Sequence, residues 1–151
     1  MILALDFGQK MGWAVYYGPD DLLYGTEIFK PGRHEGGGMV WVRLRTWLRH
    51  MHDDHGPIDR VYYEEVHRHK GTDAAHYYGG FLAGVTGWCE RQNVPYLGVP
   101  VQHIKMFATG RGNASKEQVK DAMRKRGYEP ADDNQADALA LMTLAVEQWV
   151  K

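Results

Sequence analysis

The chain has one cysteine, Cys89, among its 151 residues, which excludes an internal disulfide and any cysteine-rich zinc site. It also lacks an excess of charge: 18 Lys and Arg stand against 19 Asp and Glu, a formal net charge of −1. Such a chain exerts no general pull on polyanions, so a nucleic-acid contact has to come from local basic patches. No run approaches the roughly 20 apolar residues of a membrane-spanning helix. The opening "MILALDFG" has no basic lead of the kind that begins a targeting segment, so the expected location is intracellular. Internal repeats and low-complexity segments are missing too. What remains is an ordinary globular composition, 44% hydrophobic and 25% charged. A single domain spanning residues 1–151 is expected, long enough to bury roughly two-thirds of its unfolded surface.

The patterns that are present alternate between short apolar runs and helical spacings. "MILALDFG", "GWAVYYG" and "LLYGTEIF" read as three strands joined by hairpins, with "GPDD" as a turn. In "MVWVRLRTWLRHMH", Val40, Leu44, Trp47, Leu48 and Met51 share one helical face, with Arg43, Arg45 and Arg49 largely off it. "IDRVYYEEV" reads as a fourth strand. "TDAAHYYGGFLAGVTGWCERQ" is a second helix in which Gly80, Gly84 and Gly87 cost about 1 kcal/mol each relative to alanine. Another backbone is expected to lie against them. "VPYLGVP" is a fifth strand, and "VQHIKMFATGRGN" a connection with one short helical turn. Ser115 and Gln118 form a capping box at the start of a further helix that stops at Gly127. The last helix runs from about Asp133 to Trp149, with a stripe of Leu139, Met142, Val146 and Trp149. The order βββ-α-β-α-β-α-α predicts an α/β fold with a mixed five-stranded sheet flanked by helices.

Three acids fall at element ends: Asp6 after the first strand's apolar run, Glu64 near the end of the fourth, and Asp137 in the first turns of the last helix. Strands one and four can be parallel neighbours in this order, which would bring Asp6 and Glu64 side by side. Converging carboxylates repel at neutral pH unless a cation intervenes, and oxygen donors suit Mg²⁺ or Mn²⁺. At about 100° per residue, Asp133 lies about 40° and Asn134 about 60° from Asp137 around the helix, whereas Asp132 lies about 140° away. Asp133 or Asn134 can therefore join the set. Asp132 reads instead as the N-cap, with Gln135 as its reciprocal capping partner.

These residues, in this order, resemble the RuvC family of Holliday-junction resolvases within the RNase H-like nucleases, particularly its short bacteriophage-type members. "ALDFGQKMGWAVY" looks like the family's first motif, with Asp6 as its acid; "VYYEEV" looks like the second, with Glu64. "TGRGNASKEQV" resembles the segment before the last motif and puts Lys116 at a basic position near DNA, while "DDNQADALAL" supplies Asp137 as the final catalytic acid. Three residues before that acid the cellular family usually has an acid or histidine; this chain has Asn134, preceded by Asp133. Asp133 is taken as the fourth ligand, with Asn134 as a neutral substitute. The resemblance implies two Mg²⁺ ions, replaceable by Mn²⁺, that serve phosphodiester hydrolysis to 5′-phosphate ends. It further implies a homodimer that places paired nicks in a four-way junction or other branched DNA, in the cytoplasm of a bacterium or phage-infected host. The glycine-spaced second helix is where the dimer contact is expected.

Other segments carry weaker signals. His67, Arg68, His69 and Lys70 directly follow the fourth strand and are expected to contact DNA phosphates. Between Val101 and Arg126, seven basic residues, Lys105, Arg111, Lys116 and Lys120 among them, stand against two acids, a local net charge of +5. His50 and His52 are two apart on a helix and diverge, so no metal site is expected there. Cys89 lies on an apolar helix face, which argues against a nucleophile. Two other readings stay open: a catalytically silent RNase H-like protein that binds nucleic acid, and a sugar-kinase or actin-like ATP-binding domain whose phosphate loop "DFGQKMGWAVY" also resembles.

Overall fold

The computed structural model describes residues 1–150. In chain order the elements are β1 Ile2–Asp6, β2 Lys10–Gly18, β3 Asp21–Ile28, α1 Met39–Asp54, β4 Arg60–Glu65, α2 Thr72–Gln92, β5 Tyr96–Pro100, α3 Val101–Thr109, α4 Lys116–Lys125 and α5 Asp133–Trp149. The five strands form one mixed sheet in the order β3-β2-β1-β4-β5. β1, β2 and β3 are antiparallel neighbours joined by short turns, whereas β4 lies parallel to β1 and β5 parallel to β4. Parallel pairing requires crossovers, and α1 and α2 supply them. The α/β architecture expected from the element order is the one observed.

Side chains alternate across the sheet, and the alternation in β1 separates two cores. Leu3 and Leu5 face α1 and α2 together with Met11, Val15, Phe29, Leu44 and Phe81. Ala4 faces the other way, with Ala14 and Tyr62, onto α5, α3 and α4. In α1 the buried residues are Val40, Leu44, Leu48 and Met51, with Trp47 packed against them, which is the predicted face. The capping box at α4 is present: the Gln118 N–H donates to Ser115 Oγ at 3.2 Å and the Ser115 N–H to Gln118 Oε1 at 2.8 Å. None of the described helices is long and apolar enough to cross a membrane.

Three expectations are corrected. The segment after β5 is a full nine-residue helix, α3, ended by Gly110 at φ +78°, with Ile104 buried and Phe107 and Ala108 packed beside it. In α5 every residue from Ala138 to Ala145 is buried, since the helix is covered by the sheet on one side and by α3 and α4 on the other. A single stripe is too narrow a description of it, and Trp149, expected in that stripe, remains 36% exposed. The close neighbours of Gly80 and Gly84 are α1 side chains, not a backbone: an added Cβ would come within 2.2 Å of the Trp41 ring and 2.8 Å of Leu44 Cδ2. That part of the glycine face is filled within the chain.

Candidate metal centre

Asp6 closes β1 and Glu64 lies one residue from the end of β4. The parallel ladder runs to Leu5↔Tyr63, so the next residue on each strand, Asp6 and Glu64, emerges from neighbouring positions. Asp137 arrives from α5. One carboxylate oxygen from each of the three lies within 4.8 Å of the others, and all three residues are half-buried.

Gly12 is what lets the helix come so close. It pairs with Asp6 across the hairpin. An added Cβ would sit 1.9 Å from the Asn134 carbonyl oxygen, far inside contact distance, so the first turn of α5 rests directly on the bare strand. Gly12 is not among the candidates read from the sequence, although a glycine inside a strand is a signal of close backbone approach. Thr26, opposite Gly12 on β3, adds a tether: its hydroxyl donates to Asp132 Oδ2 at 2.7 Å. Asp132 is the N-cap as expected, accepting the Gln135 N–H at 2.8 Å. The reciprocal bond differs, because Gln135 Oε1 accepts from the Ala131 N–H at 2.9 Å and not from Asp132 itself.

Burial pushes all three carboxyls upward, and neighbouring negative charge adds to the shift of Asp6 and Asp137. Asp6 is raised well above the usual carboxylate range by burial, then by the charges of Glu64 and Asp137, with Lys116 opposing. Glu64 is raised by burial, against a hydrogen bond with Asp6 and the charges of Lys105 and Lys116. Asp137 is raised to about 7 by burial and the charges of Glu64 and Asp133, with Lys116 and Lys105 opposing. Three such groups ionise together only when a cation replaces the protons between them. An all-oxygen donor set of three carboxylates fits a hard divalent ion such as Mg²⁺ or Mn²⁺.

Asp133 lies beside this cluster without entering it. Its carboxylate sits 3.3 Å from Lys120 Nζ and 3.9 Å from Lys116 Nζ, while its charge still acts on Asp137. Asn134 is held with its backbone on Gly12. Of the residues expected to meet DNA, Lys105 and Lys116 stand near enough to act on the acids, and Lys120 is engaged by Asp133. Arg111 lines a separate groove of about 410 Å³ with Gln118, Lys125 and Arg126. His67, Arg68 and Lys70 are exposed in the loop after β4, and the His69 ring packs on Tyr78 at 4.8 Å. Tyr78 of α2 donates its hydroxyl to the Glu64 carbonyl at 2.8 Å.

His52 Nδ1 accepts the Ile58 N–H at 3.1 Å and His50 pairs with Asp54, so the two imidazoles serve different partners. Cys89 is buried and its thiol is pushed up to about 12, which leaves no thiolate for nucleophilic chemistry.

No family model and no curated protein matches the sequence. Solved structures do. RuvC of T. thermophilus in complex with a Holliday junction substrate superposes with a TM-score of 0.72 at 23% identity, over 93% of this chain and 88% of that one. Thermus thermophilus RuvC alone gives 0.69 at 23% identity, over 93% and 89%. The yeast mitochondrial Holliday junction resolvase Ydc2 gives 0.62 at 13% identity, over 93% and 75%. The chain has the RNase H-like fold of these resolvases.

Proposed function

We propose that the chain is a metal-dependent, structure-selective endodeoxyribonuclease whose first substrate is the four-way DNA junction. The observation that carries this reading is the convergence of Asp6, Glu64 and Asp137 within 4.8 Å, in a fold that two junction resolvases share. Asp6, Glu64 and Asp137 would hold two Mg²⁺ ions, with Asp133 as a fourth ligand beside Asp137. Asn134 is the neutral alternative to Asp133. Bound there, the ions would activate a water and stabilise the leaving 3′ oxygen, giving 5′-phosphate ends. The chain's own residues do the rest. The carboxylates fix the position of the reacting phosphate by fixing the ions, and Lys116 and Lys105 offset the negative charge that the phosphate adds. His67, Arg68, His69 and Lys70 approach the strand beside the cut, and Arg111 and Lys120 extend the basic surface.

Residues 1–151 would form one nuclease domain, working as a homodimer to place paired nicks, in a bacterial or phage-infected cytoplasm. The test is incubation of a synthetic four-way junction with the protein in Mg²⁺ and in EDTA. Metal-dependent, paired cleavage supports the reading. ATP hydrolysis without cleavage would favour an actin-like domain, and binding without either would favour a silent nucleic-acid-binding protein.

A further inference from the structure

Pairing between β1 and β4 stops at Leu5↔Tyr63, while β5 follows β4 as far as Glu65↔Pro100. The Glu64 carbonyl and the Val66 N–H flank Glu65, and in extended backbone these two groups point the same way. One side chain serves both. The Tyr78 hydroxyl donates to the Glu64 carbonyl at 2.8 Å and accepts the Val66 N–H at 3.1 Å, as a neighbouring strand would. The ring of Tyr78 is held in turn by Phe7, edge-on at 5.7 Å, and by His69 at 4.8 Å. Phe7 directly follows Asp6, and His69 belongs to the basic loop after β4. Phe7, Val66, His69 and Tyr78 line one cleft of about 460 Å³.

From this arrangement we infer that Tyr78 is a positioning residue for the candidate metal centre. Its hydroxyl fixes the peptide on which the Glu64 carboxylate is carried, and its ring ties that peptide to the residue after Asp6 and to the 67–70 loop. The inference rests on the nuclease reading for its catalytic meaning, but its first consequence is metal affinity, which is measured without DNA. Partners that orient a metal ligand typically change affinity or activity by about 10 to 100-fold when removed.

The experiment is calorimetric titration of Mn²⁺ into wild type, Tyr78→Phe and Tyr77→Phe. Tyr78→Phe keeps the ring against Phe7 and His69 and removes only the hydroxyl, so folding is expected to survive, as checked by circular dichroism. Mn²⁺ affinity should fall roughly tenfold for Tyr78→Phe and stay at the wild-type value for Tyr77→Phe, whose ring packs on Trp41. In a cleavage assay, Tyr78→Phe should lower kcat, leave junction affinity unchanged and recover part of the deficit at high Mg²⁺. Wild-type Mn²⁺ affinity in Tyr78→Phe overturns the inference, whatever its melting temperature. A wild-type protein that binds Mn²⁺ but does not cut DNA overturns the nuclease reading and leaves the positioning role standing.

Discussion

Beside the acids, the strands present bulky side chains to one face of the sheet and small ones to the other. Leu3, Leu5, Phe29, Leu44 and Phe81 fill the space under α1 and α2, and aromatic rings pack among them, as Phe29 does on Phe81 at 5.6 Å. Under the first turns of α5 the sheet presents Ala4, Ala14 and the bare Gly12, with Tyr62 and Val99 in the same core. The bulky face holds its helices away from the strands. The thin face brings α5 down until Asn134 touches Gly12, and only at that depth does Asp137 reach the strand acids. The acid cluster thus depends on the thin contact between Gly12 and the first turn of α5.

The sharpest way to break this contrast is a pair of substitutions, one per layer. Gly12→Val should push α5 outward and lower cleavage about 100-fold or more, since displacements near 1 Å at a reacting centre have costs of that order. Leu44→Ala, in the bulky layer, should cost about 2–5 kcal/mol of stability while leaving kcat within a few fold at temperatures where it is folded. Denaturant melts and junction cleavage measured on both would show it. Equal declines in activity per unit of stability in the two would erase the distinction.

A smaller effect distinguishes the two residues beside Asp137. Asp133 carries a charge and is already close enough to act on Asp137, although Lys120 and Lys116 engage it. Asp133→Asn should therefore reduce turnover roughly tenfold and raise the Mg²⁺ needed for half-maximal cleavage, with Asn134→Ala much milder. The reverse order in metal-dependence curves would give the role to Asn134.

Burial of the acids in the thin layer, with charge repulsion at Asp6 and Asp137, also predicts a pH effect. Asp137 titrates at about 7 in the folded chain against roughly 3.9 when unfolded, and Asp6 and Glu64 are shifted the same way. A carboxyl with a raised folded value stabilises the fold while protonated and gives up that contribution as it ionises. In EDTA the melting temperature should accordingly fall as pH rises from about 4 through 7. Mg²⁺ should restore it above pH 7, and Asp137→Asn should flatten the profile. A melting temperature that rises across that window without metal would contradict the assigned electrostatics.

The mildest expected effect concerns the basic surface. Lys116→Ala and Arg111→Ala should each weaken junction binding and flatten its log–log salt dependence, the slope falling by roughly 0.9 for each DNA phosphate no longer neutralised. An unchanged slope would remove that residue from the interface.

Much of the scaffold was legible because its signals are local. Alternation in "MILALD", the heptad-like spacing of Val40, Leu44, Leu48 and Met51, and the Ser115–Gln118 box are all decided within a few residues. The acids at strand ends were legible for the same reason, once the order of elements implied that β1 and β4 adjoin. What escaped depends on partners distant in sequence. α3 buries Ile104 fully and Phe107 and Ala108 in part, and their partners lie on α4 and α5. α5 is apolar all round because two layers bury it. Gly12 acquires its meaning only when Asn134 lies on it, and Tyr78 only when the ladder beyond Tyr63 leaves two peptide groups to be bonded.

In the proposed function the three converging carboxylates would serve chemistry and the basic surface would serve affinity. Asp6→Asn and Asp137→Asn, assayed on a synthetic four-way junction in Mg²⁺, test it most directly. Both variants should bind the junction within a few fold of wild type and show no cleavage. Full cleavage by either would contradict the site.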